Sequence, residues 1–262
     1  MESSDSVIVG SGSRHGTWLP VALQLANGIL GKGLQLNGSA MLDMGNARQG
    51  CFMTPDLCHL GFTISFWVKD SVLNWVQFYL SSGGKQEDSV GVDVTRKEDG
   101  FIFIKTYQQM YEYQFNFPLG VWMQLAFSWH NDSSNPQQSL KLYINDTLVY
   151  PTHVILTDNS LIGNSVFNDI RIGGSNYEDS YKANCLLDEV LFWDREISAD
   201  EVTYVYDTYA SKCNLLRKVC VCSFVCVLFC VCGEGGMTGN EEVRLATTKI
   251  RIHPPSYTHT HR

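Results

Sequence analysis

Positive charge is scarce in this sequence. Only 19 of the 262 residues are Lys or Arg, against 27 Asp or Glu, so the formal net charge is −8 at pH 7. The basic residues are also scattered along the chain, whereas binding to a phosphate backbone requires Lys and Arg clustered on one face. We therefore expect no nucleic-acid partner.

A secretory signal and a long apolar run are also missing. Met1 is followed by the acidic, polar segment Glu2–Asp5, without the basic region and apolar stretch of a signal peptide. The Val/Cys-rich run 219–232 has 14 residues and follows Arg217 and Lys218, whereas a membrane-spanning helix needs about 20 apolar residues. Membrane association is expected only if 219–232 is a genuine anchor.

The sequence shows no constellation that is typical of catalysis. Glycosidases need two carboxylates about 5 to 9 Å apart, and no Glu-x-Asp-x-x-Glu arrangement occurs. Asp188 and Glu189 are adjacent, so in a strand they point to opposite faces. Glu178 and Asp179 fall in a polar segment typical of a solvated loop, and the seven histidines lack metal-ligand spacing. The prediction is a protein that is not an enzyme.

Alternation of apolar and polar residues with a period of two dominates from about Gly33 to Trp193. In 62–69 the even positions are apolar, and in 121–129 the odd positions are apolar. Such segments predict strands that each bury one face, and so many of them predict an all-β, antiparallel two-sheet β-sandwich. Further strands are predicted at 34–36, 40–42, 90–94, 101–104, 111–117, 140–144, 148–150 and 170–172.

Turn and capping residues mark the connections. Asn37-Gly38 and Asn145-Asp146 each stand between two predicted strands and tolerate positive φ, which predicts a tight hairpin at both places. One helix is predicted, because Ser198–Glu201 is a capping box followed by an apolar face that continues to about Ala210. We expect this helix to pack on the edge of the sandwich.

The last fifty residues have a different composition. Val and Cys alternate in 219–232, and Thr and His alternate in 258–261, as in translated dinucleotide repeats. A metal site in this Cys-rich part is disfavoured because its spacers are Val, Leu and Phe rather than turn-forming residues. We expect a tail that is poorly ordered or an isolated helix. The predicted organisation is an irregular or truncated N-terminus, 1–12, a β-domain, 13–211, and a low-complexity tail, 212–262.

Six segments, taken together, carry a family resemblance. They are 31–46 (GKGLQLNGSAMLDMGN), 61–69 (GFTISFWVK), 120–130 (GVWMQLAFSWH), 140–149 (LKLYINDTLV), 170–175 (IRIGGS) and 186–202 (LLDEVLFWDREISADEV). Their order and spacing over about 29–209 resemble the laminin-G-like jelly-roll family, a concanavalin A-like and pentraxin-related group. The resemblance implies a jelly roll, in agreement with the alternation. Ser13–Gly16 resembles the loop after the first strand of this family, although no such strand is evident in 1–12.

The resemblance also implies roles for individual residues. Cys51 and Cys58 bracket a Pro55-Asp56 turn, and animal members of the family have a similar short disulfide loop; two free thiols are the alternative. Asp188 resembles an aspartate that joins a structural calcium site in related carbohydrate-binding jelly rolls. The alternative is that Asp188 caps a network of strand hydrogen bonds. Calcium is the one cofactor implied.

Other candidate residues come from their own local patterns. Cys185 begins an apolar strand and is expected to be a buried thiol, with a bond to Cys213 left open. Three Asn-x-Ser/Thr sequons, at Asn37, Asn131 and Asn145, lie at predicted turns or loops and are compatible with glycans. Glycosylation requires passage through the secretory route.

The resemblance implies an extracellular or cell-surface recognition and adhesion module that binds a glycan or a protein ligand. Exposed aromatic side chains such as Trp75, Tyr79 or Tyr111 are candidates for stacking on sugars, although core packing is the commoner fate of such rings. Two alternatives stay open. One is a glycosidase of the same fold, and the other is a structural fragment of a larger receptor or matrix protein.

Overall fold

A computed structural model of the protein describes residues 7–9, 14–19, 24–46, 58–72, 76–82, 91–97, 100–106, 109–130, 135, 138–156, 169–176, 181–220 and 251–252. These residues form two sheets and one helix. Each sheet takes strands from distant parts of the sequence, so the chain passes repeatedly from one sheet to the other.

The two sheets lie face to face. The nine-stranded sheet contains, in spatial order, β1 (Val7–Val9), β2 (Arg14–Leu19), β5 (Met41–Asn46), β15 (Asp169–Ile172), β7 (Gln77–Ser81), β8 (Val92–Arg96), β9 (Phe101–Thr106), β10 (Gln109–Gln114) and β14 (His153–Leu156). The eight-stranded sheet contains β13 (Thr147–Val149), β12 (Leu140–Ile144), β11 (Met123–Trp129), β6 (Phe62–Asp70), β16 (Asn184–Trp193), β4 (Lys32–Asn37) and β3 (Gln24–Asn27), with β17 (Arg251–Ile252) beside β16. Neighbouring described strands are antiparallel except β16 and β17. The predicted antiparallel sandwich is confirmed.

The hydrophobic core lies between the sheets. The alternation in β6 directs Phe62, Ile64 and Phe66 into it. Val92 and Val94 of β8 enter the core from the other sheet. All five side chains are at most 2% exposed, and full burial of one such side chain contributes about 1.5–3 kcal/mol to folding.

A buried ion pair links the two sheets. The Nη1 of Arg96 on β8 lies 2.9 Å from Oδ2 of Asp70 on β6, and both side chains are at most 1% exposed. The Tyr79 hydroxyl and the Gln77 amide also donate hydrogen bonds to the Asp70 carboxylate. Burial raises the pKa of Asp70, while these donors and the Arg96 charge oppose the shift. The pair is an internal structural element, because no described part of it reaches the surface.

Only one of the two predicted hairpins is correct. Asn145 and Asp146, with φ of 50° and 69°, join β12 to β13 as a tight hairpin, as predicted. The Asn37-Gly38 hairpin is wrong, since β4 pairs with β16 and β3, whereas β5 pairs with β15 and β2 of the other sheet. Gly38, with φ of 79°, donates its N–H to the Ala183 carbonyl. The turn therefore carries the chain from one sheet to the other.

The helix α1 (Ala199–Cys220) starts where the capping box predicts. Ser198 N–H donates to Glu201 Oε2, and Glu201 N–H donates to Ser198 Oγ, at 2.8 and 3.3 Å. The helix continues beyond Ala210 because 211–220 contain neither Gly nor Pro. The helix packs on the outer face of the eight-stranded sheet. The prediction that it packs on the sandwich edge is wrong.

The remaining departures from prediction are short strands with weak patterns. The N-terminal segment 1–12, predicted to be irregular, contains β1, which pairs with β2. The strands β2, β3, β7, β14 and β17 were also not predicted, and β2 includes residues of Ser13–Gly16, which resembles a loop of the family. Among the helices that the structure describes, none is long and apolar enough to cross a bilayer. Most of 219–232 lies outside the described residues, so its role as an anchor stays a prediction.

Candidate functional site

The outer face of the eight-stranded sheet, called the closed face here, is covered by α1. Four sheet side chains pack beneath the helix together with its staple residues Ile197 and Val202; the four are Ala126, Tyr143, Leu191 and Trp193. Tyr206 of the helix stacks on Trp67 with 5.6 Å between ring centroids. This layer of apolar contacts occupies the closed face over β6, β11, β12 and β16.

The outer face of the nine-stranded sheet carries no helix among the described residues. We call its part over β8, β9, β10 and β14 the open face. On β9, Ile102 and Ile104 are fully buried in the core, so the alternation turns Phe101 and Phe103 outward. Both rings are half-buried. On β10 the same alternation turns Glu112 outward, between strands that present Phe103 and His153 at the same level.

Phe101, Phe103 and Lys97 form what we call the aromatic patch. The two rings lie 6.2 Å apart between centroids, and Nζ of Lys97 lies 4.0 Å from the Phe103 centroid. A hydrogen bond from Lys97 N–H to the Phe101 carbonyl closes the connection between β8 and β9 and keeps Lys97 beside the rings. An apolar ring surface next to an ammonium group suits a ligand that has both C–H faces and hydroxyl oxygens.

A polar network builds a wall on one side of the open face. Ser81 Oγ donates to Asp93 Oδ1 at 2.6 Å and accepts a hydrogen bond from Asn176 N–H at 3.1 Å. Arg171 Nη1 donates to the Ser175 carbonyl at 2.9 Å. These bonds fix the segment after β15 against the outer side of β7. The outward side chains Asp93 and Thr95 of β8 are buried, whereas the described outward side chains of β9, β10 and β14 are half-buried or exposed.

The other side of the open face ends at the edge strand β14. His153 Nδ1 lies 3.6 Å from Glu112 Oε2, and the His153 side chain is 70% exposed. Ile155, on the same strand, is also exposed. Thr152 donates from both its N–H and its hydroxyl to the Glu112 carbonyl, which fixes the strand entry. This edge supplies polar groups that a ligand on the aromatic patch can reach.

Asp188 lies away from the open face, under the turn between β3 and β4. Its Oδ2 accepts hydrogen bonds from Ile29 and Leu30 N–H at 2.9 and 3.2 Å. Its Oδ1 accepts one from Glu189 N–H at 2.9 Å. Burial raises the pKa of Asp188 to about 7, against the effect of these donors. A Cβ at Gly28 would lie 2.1 Å from Asp188 Oδ2, so only glycine fits beside the carboxylate.

These contacts test how well calcium fits at Asp188. Calcium takes six to eight oxygen ligands, but three N–H donors already face this carboxylate. Within the described part of the chain, no group of three or more His, Cys, Asp or Glu side chains is placed to hold a metal. The described residues do not fit the ion, and the hydrogen-bond cap agrees with the geometry. Calcium binding stays a prediction.

The predicted glycosylation sites and cysteines lie apart from the open face or outside the described residues. Asn37 and Asn145 lie at one end of the sandwich, whereas Asn131 and Cys51 lie outside the described residues. Cys58 is buried, and its pairing with Cys51 stays a prediction. Cys185 is a buried free thiol, as expected, so it does not form the bond to Cys213 that the sequence left open. Burial raises the pKa of the Cys185 thiol.

The prediction that Tyr79 or Tyr111 is exposed for sugar stacking is wrong. Tyr79 and Tyr111 are at most 1% exposed and belong to the core, and Trp75 lies outside the described residues. Phe101 and Phe103 were missed because the run Phe101–Ile104 is apolar at all four positions. Such a run carries no signal for which side faces out. The polar alternation in the neighbouring strand β8 was the one signal that could have oriented it.

Comparisons with known proteins agree with this architecture. A family model described as "Concanavalin A-like lectin/glucanases superfamily" matches residues 45–203, more than half of the chain. Domain 4 of AbnA, a GH43 extracellular arabinanase from Geobacillus stearothermophilus, in complex with arabinotriose, has a TM-score of 0.53 at 18% identity, over 75% of this chain and 90% of that chain. No curated protein sequence matches the chain.

Botulinum neurotoxin binding domains have the same fold. The binding domain of botulinum neurotoxin DC in complex with SialylT has a TM-score of 0.52 at 14% identity, over 78% of this chain and 52% of that chain. The serotype G binding domain has a TM-score of 0.51 at 16% identity, over 79% and 50%. The chain thus spans about half the length of these toxin chains. At such identities the likeness is one of fold.

Proposed function

Because the chain belongs to the concanavalin A-like lectin/glucanase superfamily, we propose that it is a non-catalytic, extracellular module that binds a glycan on its open face. The single observation that carries the proposal is the aromatic patch. A sugar stacks its C–H face on an aromatic ring while its hydroxyl groups need charged or polar partners beside that ring. Phe103, with Lys97 above it and Glu112 next to it, offers this combination.

The spacing of the two carboxylates in the described part of the open face, Glu112 and Asp93, supports binding over hydrolysis. Glu112 on β10 is level with Thr95 on β8, two strands away. Asp93 lies two residues before Thr95 on β8. Sheet geometry puts these two backbone positions about 12 Å apart, beyond the roughly 5–9.5 Å that glycosidases use. Asp93 is also engaged by the Ser81 hydroxyl. The pair therefore lacks the arrangement of an acid and a nucleophile.

The structural neighbours support a glycan as the ligand class. One is an arabinanase domain in complex with arabinotriose, and another is a toxin binding domain in complex with SialylT. A carbohydrate is also compatible with the mixed character of the open face. An extracellular location agrees with the predicted Cys51–Cys58 disulfide, because such bonds persist in oxidising compartments.

Titration calorimetry of the full chain tests the proposal, after a glycan array has ranked oligosaccharides that include arabino- and sialyl-oligosaccharides. We expect binding without bond cleavage, and Phe103→Ala is expected to lower the affinity at least tenfold. Tyr204→Ala is the matched control, since Tyr204 is 74% exposed on α1, over the other sheet. Equal losses in both variants, or release of shortened oligosaccharides, would contradict a binding module that uses the open face.

A further inference from the structure

We propose that Asn37 is the acceptor of an N-linked glycan, and that Asn145, which has the same Asn-x-Ser/Thr motif, is a structural turn residue that carries none. The motif alone does not separate the two sites. Their side chains differ in exposure and in the groups that their amides contact. The inference rests on the extracellular part of the proposed function and is independent of glycan binding.

The Asn37 side chain contacts only its own motif. Asn37 is exposed and ends β4. Its Oδ1 accepts hydrogen bonds from Ser39 N–H at 3.2 Å and from Ser39 Oγ at 2.6 Å. Its Nδ2 donates to no described residue. A substituent on Nδ2 therefore displaces no hydrogen bond to a described residue.

The Asn145 side chain is part of the sheet. Its Oδ1 accepts a hydrogen bond from Gln124 N–H at 2.9 Å, and its own N–H donates to the Gln124 carbonyl at 3.0 Å. These two bonds fasten the hairpin between β12 and β13 to the start of β11. The side chain is half-buried and the backbone has φ of 50°. The amide plane is thereby fixed against the neighbouring backbone.

The helix α1 also restricts the space at the Asn145 hairpin. Tyr206 of α1 stacks on Trp67 with 5.6 Å between ring centroids, and the strand partner of Trp67 is Gln124, which holds Asn145, so α1 lies near this hairpin. The strand partner of Asn37 at the same level is Asn184 of β16, and no residue of α1 is among the described hydrogen-bond partners of Asn37.

The modification adds a bond at Nδ2 of Asn37. The donor class is an oligosaccharide linked to a lipid through a diphosphate. Nδ2 forms a bond to the anomeric carbon of the first sugar, and the bond from that carbon to the diphosphate oxygen breaks. The lipid diphosphate leaves with the electron pair, and Nδ2 loses one proton to the base of the transferase. The product is a glycosylated amide whose Oδ1 still accepts the Ser39 hydrogen bonds.

A glycan at this position leaves the open face accessible. Asn37 belongs to the eight-stranded sheet and lies at the end where the chain turns into the other layer. The aromatic patch lies on the outer side of the opposite sheet. The proposed modification therefore shields one rim of the sandwich without competing with a ligand.

Peptide mass spectrometry tests the inference on the full chain, secreted from glycosylating eukaryotic cells behind an added signal peptide. Trypsin separates the three sequons into peptides 33–48, 106–141 and 142–171. Enzymatic removal of N-glycans in ¹⁸O-water labels each occupied Asn. A digest without the amidase corrects for spontaneous deamidation of Asn37-Gly38. We expect the label in 33–48 and none in 142–171.

Matched variants separate occupancy from folding. Asn37→Asp is expected to remove one glycan, and Ser39→Ala is expected to do the same while keeping Asn37. Asn145→Asp keeps an acceptor oxygen for Gln124 N–H and tolerates the positive φ, so glycan number and thermal midpoint should both stay unchanged. A labelled 142–171 peptide, or an unlabelled 33–48 peptide from the secreted chain, would overturn the inference. Because the signal is supplied, neither outcome depends on where the natural protein resides or on whether it binds glycans.

Discussion

The two outer faces of the sandwich are made by the same alternation of residues but differ in what lies on them. The closed face is covered by α1, which packs on Leu191, Trp193 and Tyr143. The open face has no helix among the described residues and presents half-buried rings next to charged side chains. This difference shows that the alternation of a strand defines its two faces but does not show which face binds a ligand. What packs on a face decides whether its aromatic side chains stabilise the fold or remain available to a ligand.

The largest expected effect is on the closed face. Val202→Asp places an unpaired carboxylate on the sheet-facing side of α1, at a position that is 1% exposed, and we expect a loss of about 3 kcal/mol or more in the free energy of unfolding. Urea unfolding followed by circular dichroism measures it. Tyr204→Asp, at an exposed position of the same helix, is the control and should change stability by less than about 0.5 kcal/mol. Similar losses in both variants would show that α1 does not seal this face.

The next effect is a dependence of stability on pH that comes from Asp188. Its pKa is raised to about 7 by burial, against about 3.9 in the unfolded chain. Between these two pKa values the Asp188 carboxyl binds more protons in the folded than in the unfolded state. The contribution of Asp188 to stability is therefore full below pH 4 and is lost as the pH rises through 7. We expect a loss of about 2 kcal/mol between pH 5 and 7.

Asp188→Asn isolates this contribution, because the variant cannot titrate at that position. The difference in unfolding free energy between the natural chain and the variant should shrink or change sign as pH rises from 5 to 7. Glu201, whose pKa is lowered to about 2 by its hydrogen bond to Arg195, contributes a slope only at lower pH. A difference that is flat with pH would show that Asp188 is ionised throughout.

A smaller effect is expected on the open face, and it concerns affinity. Phe103→Ala removes a half-buried ring, so we expect a stability loss of about 1 kcal/mol or less. A tenfold loss of affinity corresponds to about 1.4 kcal/mol. Lys97→Ala should lower affinity by a smaller factor, because an exposed ammonium–ring contact is worth about 0.5–1 kcal/mol. Titration calorimetry of the two variants gives both values, and a larger effect of Lys97→Ala would move the centre of the site away from Phe103.

The smallest expected effect concerns the start of α1. Ser198→Ala removes the hydroxyl that accepts from Glu201 N–H, which costs about 1 kcal/mol for a helix N-cap. Ser198→Asp retains an acceptor and serves as the control. Thermal unfolding of both variants provides the measurement. Equal midpoints for the alanine variant and the natural chain would mean that packing under α1 alone fixes the helix start.

The parts of the fold that were predictable are those with strong local patterns. The alternation in 62–69 fixed a face of β6, and Ser198–Glu201 located the helix start to the residue. The partner of β4 was not predictable, because Asn37-Gly38 fits a hairpin and a crossing between sheets equally well. The choice between them depends on β16, which pairs with β4 from about 150 residues away.

The candidate site was less predictable than the fold for the same reason. Which rings face outward depends on how β9 is aligned with β8 and β10, and Phe101–Ile104 is apolar throughout. The alternation of β10 places Tyr111 in the core, whereas Tyr79 lies there together with the adjacent Leu80, where the pairing of β7 with β8 is irregular. The role of Asp188 depended on the three N–H groups that converge on it, two of them from the distant β3–β4 turn.

Mapping by NMR tests the central claim most directly. The backbone amide signals of the full chain are followed during titration with the oligosaccharide that binds best on the array. We predict shifts concentrated on β8, β9 and β10, around Phe103, with the α1 signals from Ala199 to Ser211 unchanged. Shifts concentrated on α1, or on the turns at the sandwich rim with no change at Phe103, would contradict a glycan site on the open face.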